Sequence, residues 1–86
     1  MSILKVSIRQ VKAARALLGW SQKDLADASG ISEPTIKRLE AGDGGLGGRA
    51  GTADAIRSCI EAAGVQFIPE NGGGVGVRLA KRTATE

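Results

Sequence analysis

Between Ser21 and Gly42 the chain reads S-Q-K-D-L-A-D-A-S-G-I-S-E-P-T-I-K-R-L-E-A-G, and this stretch constrains the fold more than any other. Ser21 is a good helix N-cap, and Asp24 three residues on completes a capping-box pattern. Trp20 and Leu25 flank that cap at hydrophobic-staple spacing. The pattern then recurs, with Ser32 as the second cap and Ile31 and Ile36 as its staple. Gly30 supplies the left-handed residue that can end one helix and turn the chain into the next. Pro34 falls in a first turn, where its missing N–H costs little, although it biases Glu33 away from helical angles. Two short helices are therefore expected, about Gln22–Ala28 and Glu33–Ala41. Leu25, Ala26, Ile36 and Leu39 face inward and Asp24 and Asp27 face water. Glu33, Pro34, Lys37 and Arg38 fall on the outer face of the second helix, with Thr35 at its edge.

The flanks add two helices and a hairpin. Val6 ends a short apolar lead-in that includes Ile3 and Leu4. Ser7 caps a helix running to about Leu18, with Gln10 at the capping-box position, Val6 and Val11 as the staple, and Gly19 as its end. Ile8, Val11, Ala14, Leu17 and Leu18 form its apolar stripe. The glycine-rich run Gly42–Gly51 cannot form a stable helix and reads as a mobile loop. Thr52 is expected to cap a fourth helix, about Ala53–Ala63, buried through Ala53, Ile56, Cys59, Ile60 and Ala63 and ended by Gly64. Val65–Ile68 and Val75–Leu79 alternate around the turn signal Asn71-Gly72-Gly73-Gly74, which predicts a β-hairpin. The fold class is thus mainly α: residues 1–64 form a four-helix domain, residues 65–80 a C-terminal β-hairpin, and residues 81–86 a frayed tail. Two strands alone are marginal. Either the hairpin lies on the helices, or Val65, Phe67, Ile68, Val75, Val77 and Leu79 pair with a second copy in a homodimer, or they dock another protein.

Composition narrows the function. With 86 residues there is room for one domain, in which 42% apolar residues suffice for a core. The net charge of +3 suits a phosphate partner without requiring one. Aromatic residues make up only 2%, which argues against single-strand or RNA binding by base stacking. There is no histidine, the single Cys59 falls on an apolar helix side, and no carboxylate cluster has metal-ligand spacing. The usual acid–base, nucleophilic and metal sets are therefore missing, as are phosphate-loop motifs, so no enzyme, cofactor or metal is expected. One cysteine, no signal-like segment and no apolar run long enough for a membrane together suggest a cytoplasmic chain.

The Ser21–Gly42 stretch also resembles the helix-turn-helix signature of the phage-repressor/Cro (XRE) class, Q-x-x-L-A-x-x-x-G-[IV]-S-x-x-x-I-x-x-[LF]-E-x-G. Gln22, Leu25, Ala26, Gly30, Ile31, Ser32, Ile36, Leu39, Glu40 and Gly42 match it as they stand. The resemblance extends from about Ser7 to Gly64. Many members carry five helices, and here the glycine run stands in place of one. The resemblance implies a repressor-like regulator of transcription that binds double-stranded DNA as a dimer on a palindromic operator. It also implies an ion pair between Arg15 and Glu40. The third helix would enter the major groove, with Ser32, Glu33, Pro34, Thr35, Lys37 and Arg38 near base edges. Ser21, Gln22, Lys23 and Arg49 would hold phosphates. Higher salt should then weaken binding by counterion release. The alternative is an antitoxin or adaptor whose hairpin grips a protein partner.

Overall fold

A computed structural model describes residues 6–46 and 50–80. The elements are α1 (Ile8–Leu18), α2 (Gln22–Ser29), α3 (Glu33–Ala41), α4 (Ala50–Ala62), β1 (Val65–Ile68) and β2 (Gly76–Leu79). The mainly helical class with a C-terminal hairpin is the one expected. Residues 1–5, Arg49 and residues 81–86, which include Ile3, Leu4 and the expected tail, lie outside the described residues.

Each of the first three helices starts where a serine can accept from an amide three residues on: Ser7 from Gln10, Ser21 from Asp24 and Ser32 from Thr35. The first two caps are reciprocal boxes, with Gln10 and Asp24 returning a bond to the cap amide. Gly19 and Gly30 end α1 and α2 with φ of 70° and 77°, a region closed to most side chains. Gly42 ends α3 differently, in extended backbone.

The helices and hairpin share one core of Val6, Val11, Ala14, Leu25, Ala26, Ile36, Ile56, Ile60, Val65 and Phe67, with Trp20, Ile31, Leu39, Cys59 and Val77 packed at its margin. β1 and β2 pair antiparallel in the register Val65↔Leu79, Phe67↔Val77, Ile68↔Gly76. Gln10, only 3% exposed, fastens this hairpin to α1. Its Nε2 donates to Ile68 O at 3.2 Å and Gly76 O at 2.9 Å, while its Oε1 accepts from the Ser7 amide at 2.9 Å.

Several expectations are corrected. Leu17 is 42% exposed rather than part of the stripe. At 100° per residue it lies about 120° around the helix from Val11, whereas Ala14 and Leu18 stay within about 60°. The fourth helix begins at Ala50, not Ala53, so Thr52 lies inside it and is no cap. Gly51 is therefore helical, at the end of a helix whose later turns are held by buried Ile56 and Ile60. Ala63 falls beyond the last turn and is exposed. Part of the glycine run is not a free loop: Ile8 N donates to Gly44 O and Leu46 N to Val6 O, each at 2.8 Å. Arg9 adds a two-pronged contact to Asp43 at 3.2 and 3.3 Å. β2 begins at Gly76, leaving Val75 outside the strand.

Candidate nucleic-acid interface

The periodicity of α3 divides its side chains. Ile36 is buried and Leu39 half-buried against the core, whereas Pro34, Lys37 and Arg38 are exposed. Ser32, exposed at the cap, accepts from the Thr35 amide at 3.3 Å and donates to Thr35 Oγ1 at 2.9 Å, so these two hydroxyls already satisfy one another in part. Glu33 and half-buried Thr35 flank the exposed ridge. An α-helix presenting polar and cationic side chains in this way has the width and chemistry to read base edges in a major groove.

The charges here are paired. Lys37 Nζ lies 3.9 Å from Glu33 Oε2, one turn back along α3. Lys23 Nζ lies 3.1 Å from Asp27 Oδ2 along α2, and this neighbour raises the lysine pKa, with a smaller contribution from Glu33. Lys23, Asp27 and Glu33 line one open groove with Ala26, Gly30, Ile31 and Ser32, where α2 meets the start of α3. Arg38 makes no ion pair or hydrogen bond among the described residues. Of the other expected phosphate contacts, Ser21 is exposed but its hydroxyl accepts from the Asp24 amide at 3.0 Å. Arg49 lies outside the described residues.

Behind the ridge a buried charge cluster fixes the angle between helices. Glu40 is only 6% exposed. Arg15 Nη2 and Nε donate to its two carboxylate oxygens at 2.6 and 2.8 Å, and Arg15 Nη1 donates to Trp20 O at 2.9 Å. Gln22 Nε2 donates to Glu40 Oε1 at 3.0 Å. Burial by itself would push the Glu40 carboxyl up, but hydrogen bonds from Arg15 and Gln22 outweigh it and hold the carboxyl below its ordinary 4.5. The same carboxylate raises the Arg15 guanidinium. Glu40 of α3 is thus tied directly to α1 and to the first residue of α2, and through Arg15 to the α1–α2 turn.

The sequence brought Arg15 to Glu40 only through the resemblance, and it assigned Gln22 to phosphate alone. In the structure one Gln22 amide hydrogen is committed to Glu40, and a single one is left to face outward. The Gln10 bonds to the hairpin were not anticipated; a glutamine inside an apolar stripe was the available signal. Of the six hairpin residues, Val65 and Phe67 are buried, Ile68 and Val77 half-buried, and Val75 and Leu79 are 53% and 55% exposed. Among the described residues there is no group of His, Cys, Asp or Glu able to hold a metal, and no helix long and apolar enough to cross a membrane.

Two capped helices at a glycine turn, with the second presenting its outer face, define a helix-turn-helix unit. Residues 11–47 match the family model described as helix-turn-helix, which covers the whole of that unit. This segment is similar to the helix-turn-helix domain of the phage-repressor/Cro (XRE) class, and the match supports a DNA-binding transcription regulator of that type. The matched family is one of DNA-binding regulatory modules rather than catalytic ones. No curated protein matches the chain.

Proposed function

We propose that the protein binds a palindromic operator as a homodimer, each copy laying α3 in the major groove. The observation that carries this reading is the split of α3, with Ile36 and Glu40 buried and Pro34, Lys37 and Arg38 exposed on a rod braced by Arg15. Arg38 donates two bonds to a guanine edge, Glu33 accepts from a cytosine amino group, and Pro34 makes apolar contact with a thymine methyl. Lys37, Ser32 and Thr35 serve base edges or adjacent phosphates. The Ser21 and Gln22 end of α2, with Lys23 and Arg49, orients the domain on the backbone.

Two copies related by a two-fold axis read half-sites roughly 34 Å apart. Residues 65–80 serve as the dimerisation element. With Val65 and Phe67 enclosed in the chain's own core, the contact falls to Val75, Leu79 and the outer edge of β2. A protein partner on the same strand, as in an antitoxin or adaptor, is the second reading, and the exposure of those two residues favours it equally. Co-purification of a stoichiometric partner that is lost on Leu79→Lys would select it.

Selection of binding sites from randomised duplex, with solution mass measured in parallel, tests the proposal. The expected result is a palindrome bound by two copies. In the same assay Arg38→Ala should cost roughly 1–3 kcal/mol and relax preference at one base pair per half-site. Equal loss of affinity for every duplex would remove Arg38 from the base-reading role.

A further inference from the structure

Four charges at the junction of α2 and α3 form two closed pairs, Lys23 with Asp27 at 3.1 Å and Lys37 with Glu33 at 3.9 Å. Glu33 and Lys23 line the same open groove. These four charges sum to zero at the edge where a phosphate backbone would arrive. Among the described residues Arg9 is also partnered by Asp43, Arg15 by Glu40, and Arg57 by Asp54 and Glu61, whereas Lys12 and Arg78 have no carboxylate partner. On α3, Arg38 alone carries an uncompensated charge among the described residues.

Sequence-independent affinity for a duplex comes from lysines and arginines that displace condensed counterions, each contact adding about 0.9 to the slope of log affinity against log salt. A lysine already beside a carboxylate delivers less of this. When it swings to a phosphate, it leaves an acid facing another anion. We propose that Glu33 and Asp27 are specificity determinants, acting by holding Lys37 and Lys23 away from phosphate on non-cognate sequence. Non-cognate duplex then meets a neutral edge. A cognate site gains the Arg38 contact and, where a cytosine amino group stands opposite Glu33, a partner for that carboxylate. This rests on the reading of α3 as the groove-entering helix.

The test uses Glu33→Gln and Asp27→Asn, both exposed enough to leave the core intact, with Glu61→Gln as a control. The control removes one negative charge from a pair on α4 rather than at the junction. Binding to a fixed random-sequence duplex is measured across a salt series. Each junction variant should bind roughly 3- to 10-fold tighter at low salt, with its salt slope steeper by about one phosphate contact, while Glu61→Gln stays near wild type. The ratio of operator to random-duplex affinity should fall accordingly. Unchanged slopes in both junction variants would overturn the proposal, as would an equal gain in Glu61→Gln, which would reduce the effect to net charge. A wild-type protein that binds no duplex at low salt would instead remove the DNA-reading role of α3, and this inference with it.

Discussion

The α2–α3 unit and the C-terminal hairpin are held in opposite ways. In the first, the caps, the turn and a surface ion pair are local: Ser21 with Asp24, Ser32 with Thr35, Gly30 turning the chain, Lys23 with Asp27, and the Glu40 cluster then reaches back to Arg15 on α1. In the second, the decisive contacts reach across the chain, since Gln10 bonds to carbonyls 58 and 66 residues away. Val65 and Phe67 of β1 are enclosed, whereas Arg78 and Leu79 of β2 are exposed. Local bonding sets where each helix of the reading unit starts and stops; distant bonding makes the hairpin's placement depend on the integrity of α1. Glu40 and Gln10 are the two buried polar anchors of these regions, and both are fully satisfied.

That contrast can be broken from either side. Removing Glu40 should have the largest effect, because Arg15 would be left partly buried without its acceptor. Glu40→Ala should destabilise folding by roughly 3–5 kcal/mol in chemical denaturation. Since its folded pKa lies below the ordinary 4.5, the stabilisation is present above that pH and is lost as pH falls through the folded value. The gap between wild type and Glu40→Ala should therefore narrow under acid, and a gap constant from neutral to strongly acidic pH would refute the ionised pair. Gln10→Leu comes next, at about 2 kcal/mol, because Ile68 O, Gly76 O and the Ser7 amide lose their partner. Amide exchange should rise first in residues 65–79 and least in α2 and α3. Uniform acceleration would erase the distinction between the two regions. Leu79→Lys should change folding by less than about 0.5 kcal/mol, as expected for an exposed site, yet shift the solution mass toward a single chain. An unaltered mass would move the dimer contact elsewhere.

The same contrast explains what was legible in the sequence. α1, α2 and α3 could be read closely because caps, staples and glycine stops are written within a few residues of one another. The start of α4 was misread for want of such a signal: Thr52 looked like a cap, but Ala50 and Gly51 are already helical, in a helix anchored through Ile56 and Ile60. Leu17 was placed in the stripe by its hydrophobicity although its angle excludes it. In the interface, the outer residues of α3 follow from periodicity and the resemblance. The commitment of Gln22 to Glu40 joins residues 18 apart on two helices, and no local pattern announces it.

The reach of Gln10 also bears on synthesis. At ribosomal rates of about 5–20 residues per second, its two hairpin acceptors emerge roughly 3–13 s after it does. Only in the later half of that interval are both α2 and α3 outside, and the carboxamide on α1 still bonds to water while the apolar side of α1 still awaits Phe67. A chain that has emerged only as far as Gly64 would therefore present α2 and α3 on a body not yet closed. This is the stage at which chaperones and proteases would have the most to grasp.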